Sequence, residues 1–351
     1  MGSKLRIAVV ANANSIHTIR WVKWLRKKKH EVTVFSLNEG EDCVYFGPEP
    51  ALDRSLIFNL GKNVRKTTNK LQTKIDEFKP DLIHGFFLVN HGMYASRIEG
   101  YPKVMTAMGS DILIAPKESK LLSWIVKKAI KNSDSIFGPP LLVDEIEKWN
   151  LNTELNENII GIDCSIFKPS EKTKTIVFAR GFKEVYNPIV VSKAIEVLSS
   201  KLDNYEFILC GDGPLKPESE RILSYCKNVQ FTGQISETKL AEIIGKAELV
   251  LSPSLSDSIP LTILEAVASG TPVVASNIPA NQKWVDRKLP VFLFKTEDSE
   301  SLVEEILKVI KDDSILENTV KTGPNLIKEK YRWEKEAEKV LKKYVDLVTS
   351  N

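Results

Sequence analysis

The alternation of short β-branched runs with helical segments constrains the fold of this chain more than any other feature. The alternation runs from LRIAVVA at residues 5–11 to about residue 162, and it restarts at TIVFAR after a polar stretch at 168–174. Strands that alternate with helices in this way are typical of βαβ units and parallel sheets. The sequence therefore predicts the α/β class, with two Rossmann-like units in one chain.

The expected elements follow from this pattern. In the first half we expect strands at 5–11, 31–37, 80–86, 103–109, 134–139 and 158–162, and helices near 15–29, 64–78, 91–99, 118–132 and 141–149. The predicted domains are 1–168 and 169–330. A last helix within 331–351 carries an apolar stripe that needs a partner surface, and we expect it to pack back toward the first domain.

Length and composition exclude several classes of protein. The 351 residues leave room for two domains, and no apolar run approaches the ~20 residues of a membrane-spanning helix. The first residues read as a strand rather than a secretory signal, so we expect a cytoplasmic protein. Four scattered cysteines form no CxxC pair, and the sequence contains no HxH or HExxH motif, so no metal site is predicted.

One stretch, SPSLSDSIPLTILEAVASGTPVVAS at 252–276, combines a strand, a loop, a helix and a turn. If its helix starts near Pro260, the free N–H groups of residues 259–262 form an anion site suited to a pyrophosphate. Glu265, one turn further on, can accept hydrogen bonds from sugar hydroxyls. The alternative is structural, with Asp257 as an N-capping acid and Glu265 as a solvated helical residue.

Two other stretches place charge or glycine at the ends of strands. Arg180 directly follows an apolar strand, where an unpaired charge is costly. In CGDGP at 210–214, Gly211 and Gly213 indicate a tight strand-to-helix turn. The first strand is followed by ANANSIHTIRW rather than by GxGxxG, which argues against an NAD-dependent enzyme.

Taken together, these segments resemble the retaining family 4 glycosyltransferases with the GT-B fold. The resemblance is carried by the carboxylate-x7-carboxylate spacing of Asp257 and Glu265, by Arg180 and CGDGP, and by FTGQ at 231–234, SGTPVVAS and GIDCSIFKP at 161–169. It covers nearly the whole chain.

The resemblance implies two Rossmann-like domains that face each other across a cleft, with the acceptor side in the first and the nucleotide-sugar site in the second. It implies that Glu265 holds the ribose, that Asp257 faces hydroxyls of the transferred sugar, and that Arg180 neutralises the diphosphate. The residues expected to complete this donor site are Gly211, Gly213, Ser258, Ile259, Pro260, Leu261 and Thr262. The resemblance implies no cofactor and no metal.

The sequence departs from the family pattern in three segments. Asp257 stands where Glu is commoner, and Val185 and Tyr186 stand where a lysine usually follows the arginine. Lys183 is the nearest cation that can replace this lysine, and its alternative is a solvated loop residue. Met108 stands where the family often has a histidine that contacts the donor sugar.

Two residues of the first half are predicted to act near the reacting groups. His17 lies in the first turn of the first helix, and we expect it to touch acceptor or donor phosphate. Asp111 follows a strand end and is predicted to be an acceptor-side acid or hydroxyl anchor. The alternatives are a partly exposed first-turn histidine for His17 and a helix-capping role for Asp111.

The function predicted from these residues is transfer of a sugar from a nucleotide-diphosphate sugar to a glycan or a lipid-linked acceptor. The alternatives are an epimerase-type or a non-catalytic homologue that binds nucleotide sugar. The basic amphipathic segment SKLLSWIVKKAIK at 119–131 predicts a peripheral contact with the inner membrane face, and its alternative is a core-facing helix with a solvated back. Basic patches without interleaved aromatics argue against nucleic-acid binding.

Overall fold

The computed structural model describes residues 4–48 and 55–350. The chain divides into two compact units, one formed by residues 1–159 with 337–351 and the other by residues 160–336. Each unit contains one parallel β-sheet whose strands alternate with helices along the chain.

The sheet of the first unit has seven strands in the order β3-β2-β1-β4-β5-β6-β7. Numbered along the chain, β1 to β7 are Arg6–Val10, Glu31–Ser36, Cys43–Tyr45, Leu82–Phe86, Lys103–Thr106, Ser135–Gly138 and Glu154–Glu157. The helices α1 to α7 are Ile16–Lys27, Ser55–Phe78, His91–Ala95, Ser110–Leu113, Ala115–Glu118, Lys120–Lys131 and Pro140–Glu147.

Strand β1 shows why this unit folds around a parallel sheet. Its register pairs Ile7 with Val32 on one side and with Leu82 on the other, so β1 is a central strand. Residues 7–10 are fully buried, as expected of a strand that is covered on both faces. The continuous apolar run IAVV therefore encodes its central position.

The second unit repeats this design with six strands in the order β10-β9-β8-β11-β12-β13. Strands β8 to β13 are Thr173–Ala179, Glu206–Cys210, Val229–Gly233, Ala247–Ser252, Val273–Ser276 and Val291–Phe294. Helices α8 to α14 are Pro188–Leu198, Lys216–Ile222, Glu237–Lys246, Leu261–Ala268, Pro279–Asp286, Ser299–Lys311 and Asp313–Lys330, and α15 is Trp333–Thr349. The order reverses at β8, between β9 and β11, which is the switch point where such sheets bind ligands.

The α/β class and the two restarted units are confirmed, whereas one strand was predicted wrongly. The predicted strand at 158–162 is wrong, because the last strand of the first sheet is β7, which pairs with β6 from Ser135↔Glu154 to Gly138↔Glu157. Ile159 and Ile162 are buried in the connection that follows it. Strand β3, at the other edge of the sheet, was not predicted at all.

Within residues 4–48 and 55–350, none of the helices combines the length and the apolar character that a bilayer-spanning segment requires.

Helix α15 is fixed to the first unit by a buried aromatic cluster. Tyr344 is fully buried, and its ring meets those of Trp21 and His84 edge-on, with centroids 6.3 and 5.5 Å apart. Its hydroxyl hydrogen-bonds His84 Nδ1, and the other ring nitrogen of His84 bonds Thr106 Oγ1 at 2.8 Å. This chain of hydrogen bonds connects α15 to strands β4 and β5, and Lys343 adds an ion pair to Glu154.

Two histidines of this unit are buried and held neutral. Burial lowers the pKa of His84 to about 3 and that of His91 to about 4. His91 Nε2 accepts a hydrogen bond from the Leu37 N–H at 3.2 Å, so in the neutral ring the proton is on Nδ1. His84 is thus a core histidine whose two ring nitrogens both have partners.

The tyrosine of α15 gives a direct stability prediction. Tyr344→Phe leaves a buried nitrogen of His84 without its partner and should lower the free energy of unfolding by about 1–3 kcal/mol. Tyr344→Ala also removes the packed ring and should cost about 3–5 kcal/mol. The matched control is Tyr225→Ala, since Tyr225 is 95% exposed and its loss should change stability by less than about 0.5 kcal/mol. Urea unfolding measures all three, and equal effects of Tyr344→Ala and Tyr225→Ala would contradict the anchoring role.

The buried histidines also predict a pH dependence. Their folded pKa values lie below the ordinary 6.5, so the unfolded chain binds more protons below that pH and stability falls with acidification. Between pH 7 and pH 5 each histidine should remove about 2 kcal/mol from the free energy of unfolding. His91→Asn keeps an acceptor for Leu37 N–H and should reduce the loss by that amount. His30 is partly exposed and its pKa is lowered less, so His30→Asn should reduce the loss by a smaller amount. Equal pH profiles of the two variants would refute the assignment.

Candidate active site

The residues predicted to bind the donor lie at the carboxyl ends of two neighbouring strands. Strands β8 and β11 pair in parallel, from Ala247↔Thr173 to Leu251↔Phe178. Arg180 directly follows β8, and the loop with Asp257 follows β11. Because parallel neighbours end at the same edge of a sheet, this pairing brings the two residues together at the switch point.

Three hydrogen-bond donors converge on the Asp257 carboxylate. The Arg180 guanidinium pairs with Oδ2, and both side chains are only 12% exposed. Oδ1 accepts hydrogen bonds from the N–H groups of Ser258 at 2.8 Å and Ile259 at 3.1 Å. The arrangement therefore holds one negative charge between a guanidinium and two backbone amides.

The Arg180 side chain makes a further contact with an aromatic ring. Its guanidinium carbon lies 4.2 Å from the centroid of Tyr186, within the range of a cation–π interaction. Its Nε is buried and has no hydrogen-bond partner in the described part of the chain. One N–H of Arg180 therefore lacks an acceptor within this part of the chain.

The loop at 211–214 lies directly on the backbone of residues 180–182. A Cβ on Gly211 would come within 2.7 Å of the Arg180 carbonyl oxygen, and one on Gly213 within 2.6 Å of the Phe182 carbonyl oxygen. Both glycines also have positive φ angles, of 115° and 152°. The loop can pack here because neither position carries a side chain, and its carbonyl at Asp212 accepts the Phe182 N–H at 3.0 Å.

Helix α11 begins beside these donors, as the sequence predicts. Pro260 is its N-cap residue and Leu261 its first residue, and Thr262 is buried in the first turn. Glu265 is half-buried four residues after Leu261, which corresponds to about 6 Å along the axis. The amino end of a helix carries a partial positive charge that favours an anion.

Lys183 lies apart from this convergence of donors. Its side chain is exposed, and within the described residues it has no hydrogen bond or ion pair. Its backbone N–H bonds the Gly181 carbonyl oxygen at 2.9 Å, as part of the turn that leads to Tyr186. Both its replacement of the family lysine and its alternative as a solvated residue stay open.

In the first unit, His17 lies in the first turn of α1, where the sequence places it. It is half-buried, and burial, followed by the charge of Arg20, lowers its pKa from the ordinary value. The preceding loop is held by asparagines: Asn12 Oδ1 accepts the Asn14 N–H at 2.9 Å, and Asn14 Nδ2 donates to the Glu39 carbonyl at 2.9 Å. These side chains fix the turn that leads into α1.

Asp111 is completely buried and is surrounded by backbone donors. Its carboxylate accepts N–H bonds from Gly109 at 2.8 Å, Leu88 at 3.0 Å and Met108 at 3.1 Å. Burial raises its pKa although these hydrogen bonds oppose the shift. The carboxylate thus joins two loops beside α4, a helix whose N-cap residue is Gly109. A contact between Asp111 and an acceptor stays a prediction.

A cavity of about 270 Å³ opens beside His17 in the same unit. Amide, hydroxyl, aromatic and thioether groups line it, and they include Asn12, Ser15, Phe86, Asn90, His91 and Met108. Its lining contains no carboxylate, Lys or Arg. Such a mixture of flat apolar surface and neutral hydrogen-bonding groups suits an uncharged, hydroxylated ligand.

The basic segment predicted from the sequence forms helix α6. Its apolar stripe, Leu122, Val126 and Ile130, is buried in the core of the first unit. Its outer face carries Trp124, which is 52% exposed, and lysines that line a groove of about 660 Å³. The helix therefore has the buried apolar stripe of a core-facing helix and also the basic outer surface that a membrane contact requires.

Over 4–48 and 55–350, no group of three or more His, Cys, Asp or Glu side chains is arranged to hold a metal ion.

The contact at this candidate site that the sequence does not predict is the one between Tyr186 and Arg180. The sequence does show an aromatic residue at a position where the family has a cation, which is the only available signal. That signal does not reveal where the ring points.

Two family models match the chain, one in each half. The family model described as "Glycosyl transferases group 1" matches residues 165–326, and "Glycosyl transferase 4-like" matches residues 6–138. The first match contains Arg180, Asp257 and Glu265, and the second contains His17 and Asp111.

Curated relatives are distant but extend over most of the chain. The sulfoquinovosyl transferase of Arabidopsis thaliana is 24% identical over 355 residues, covering 89% of this chain and 66% of that protein. The N-acetyl-alpha-D-glucosaminyl L-malate synthase of Bacillus anthracis is 21% identical over 342 residues, covering 89% and 88%. The chain thus spans just under two thirds of the length of the plant relative.

Solved structures share the fold over nearly the whole chain. The sucrose-phosphate synthase of Thermosynechococcus elongatus matches with a TM-score of 0.78 at 16% identity, covering 99% of this chain and 100% of that one. Anabaena HepE, solved in complex with UDP and glucose, matches with a TM-score of 0.75 at 15% identity, covering 98% and 100%. With the two family matches, these findings show that the chain belongs to the group 1 glycosyl transferases and has their GT-B fold.

Proposed function

We propose that the chain is a retaining glycosyltransferase that moves a sugar from a nucleotide-diphosphate sugar to a glycan or lipid-linked acceptor. The observation that carries the proposal is the convergence of Arg180 and two backbone N–H groups on one carboxylate, beside the start of α11. A nucleoside diphosphate gains negative charge as the sugar leaves, and such preorganised donors stabilise that charge.

In this proposal the Asp257 carboxylate occupies the place of an anion. Arg180, Ser258 N–H and Ile259 N–H are the donors expected to hold the diphosphate, and Asp257 satisfies all three in this structure. The phosphate oxygens take over these donors when the donor substrate binds, and Asp257 then turns to hydroxyls of the transferred sugar. The structural alternative, a permanent N-capping acid, requires Asp257 to keep these contacts in the complex.

Glu265 is proposed to hold the ribose. It lies on α11 about one turn beyond the donors that bind the diphosphate, which matches the order of groups in a nucleotide. Its carboxylate accepts two hydroxyl hydrogen bonds with good geometry when both come from one ring. UDP is the first nucleotide to test, because HepE was solved with it.

The first unit is proposed to bind the acceptor. The cavity beside His17 offers neutral polar groups and aromatic surface, which favours the hydroxyl groups of a sugar over a charged ligand. His17 would contact the acceptor as an uncharged ring, since its pKa is lowered. Asp111 would act on the acceptor through the two loops that it joins.

A second candidate function is nucleotide-sugar binding without transfer. The observation that favours it is Met108 in the cavity lining, because a thioether is a weak acceptor and cannot replace the histidine that contacts the donor sugar in the family. Turnover separates the candidates: release of UDP from UDP-glucose, with water or an acceptor, supports the enzyme. Binding without release supports the second candidate, and consumption without an acceptor to give an isomeric nucleotide sugar would indicate an epimerase.

A peripheral membrane contact is proposed for the outer face of α6. Lys120, Lys127, Lys128 and Lys131 line the groove around the exposed Trp124. Lysines attract anionic headgroups, and an indole ring favours the membrane interface. Such a contact would bring a lipid-linked acceptor to the first unit.

The donor site predicts which variants lose nucleotide binding. Arg180→Gln removes a charge-assisted contact and should raise the Kd for UDP by about 10- to 100-fold in isothermal titration. Glu265→Ala should raise it by a similar factor. Arg221→Gln, at an exposed position in the same unit, is the matched control and should bind as the parent does. A folded parent that binds neither UDP, GDP nor ADP would contradict the proposal.

The membrane contact predicts binding to anionic vesicles. Replacement of Lys127, Lys128 and Lys131 by Gln should lower partitioning to phosphatidylglycerol vesicles by about 100-fold, at ~1 kcal/mol per lysine. Lys321, Lys328 and Lys330, changed in the same way, give an equal change in net charge elsewhere and should have little effect. Sedimentation with the vesicles measures both variants. Equal losses would show that binding depends on net charge alone and would contradict a specific contact through α6.

A further inference from the structure

The Arg180 guanidinium is held from two different sides. On one side it pairs with Asp257, and over its face lies the ring of Tyr186, 4.2 Å from the guanidinium carbon. The two contacts use different parts of the group. The carboxylate accepts hydrogen bonds from the N–H groups, whereas the ring contacts the flat face and accepts no hydrogen bond. Only the contact with Tyr186 can therefore persist when the N–H groups turn to another acceptor.

The position of Tyr186 follows from the backbone around it. A short 3-10 turn at Glu184–Tyr186 folds the chain back, and the Tyr186 N–H bonds the Lys183 carbonyl oxygen at 2.9 Å. The Val185 carbonyl oxygen accepts the Leu255 N–H at 2.8 Å, which ties this turn to the loop that carries Asp257. The ring and the carboxylate are thus fixed relative to each other by a backbone hydrogen bond.

The Tyr186 hydroxyl takes no part in these contacts. Across the residues that the structure describes, it has no hydrogen-bond partner. The ring face is therefore the part of the side chain that meets Arg180, and phenylalanine at this position would preserve the contact.

The need for such a contact follows from the proposed function, on which this inference rests. When a diphosphate takes over the N–H donors, Arg180 loses Asp257, the partner that orients it. A long, flexible side chain then binds more weakly, because it loses rotamer freedom on binding. A ring that remains over the guanidinium keeps it oriented toward the incoming phosphate oxygens.

We propose that Tyr186 is a positioning residue, whose ring holds the Arg180 guanidinium in the geometry that receives the donor diphosphate. Tyr186 supplies orientation rather than charge. It acts through Arg180 and requires no contact with the nucleotide of its own.

The test compares three variants by isothermal titration with UDP. Tyr186→Phe keeps the ring face and should bind UDP within about twofold of the parent. Tyr186→Leu keeps apolar bulk without the π face and should raise the Kd about tenfold, within the range of a desolvated cation–π contact. The matched control is Val185→Ala in the same turn, which leaves the backbone bond to Leu255 intact and should not change the Kd.

A double-mutant cycle distinguishes positioning from general support of the fold. In an Arg180→Gln background, Tyr186→Leu should change the Kd by less than about twofold, because the residue through which it acts is gone. The same tenfold loss in both backgrounds, or no loss in either, would overturn the positioning role while nucleotide binding by the parent stands. A parent that binds no nucleotide would overturn both this inference and the proposed function.

Discussion

The proposed donor site depends on a competition between two anions for the same donors. Arg180 and the N–H groups of Ser258 and Ile259 converge on one negative charge, which in this structure is the Asp257 carboxylate. Half-buried donors of this kind are costly to leave without a partner. In the proposed function this internal carboxylate keeps the donors in place, and its release would provide a side chain for the sugar.

The fold explains why these groups meet. Strands β8 and β11 are neighbours in the sheet although they are distant in sequence. Strand β8 ends at Ala179, β11 begins at Ala247, and 67 residues lie between them. The crossover places the residue after β8 next to the loop after β11, and the same edge receives the glycine loop after β9. The contacts of Gly211 and Gly213 with the Arg180 and Phe182 carbonyl oxygens show how closely these segments pack. The site thus requires the whole sheet rather than a local motif.

Much of this organisation can be predicted from the sequence, and the exceptions have physical reasons. The buried parallel strands read as continuous apolar runs, and Pro260 and the glycines mark the helix start and the turn correctly. The sequence does not reveal the edge strand Glu154–Glu157, because its polar residues have a low strand propensity. They are held in the sheet by pairing with β6. The stack of Tyr186 on Arg180 was missed because a backbone bond between Val185 and Leu255 directs it, and such a bond leaves no trace in side-chain pattern.

The most direct measurement is a crystal structure of the chain with UDP bound. We expect diphosphate oxygens to accept hydrogen bonds from Arg180 and from the N–H groups of Ser258 and Ile259. In this complex Asp257 no longer contacts these donors, and the Tyr186 ring still lies over the guanidinium. A complex in which UDP binds while Asp257 keeps all three donors would contradict this expectation.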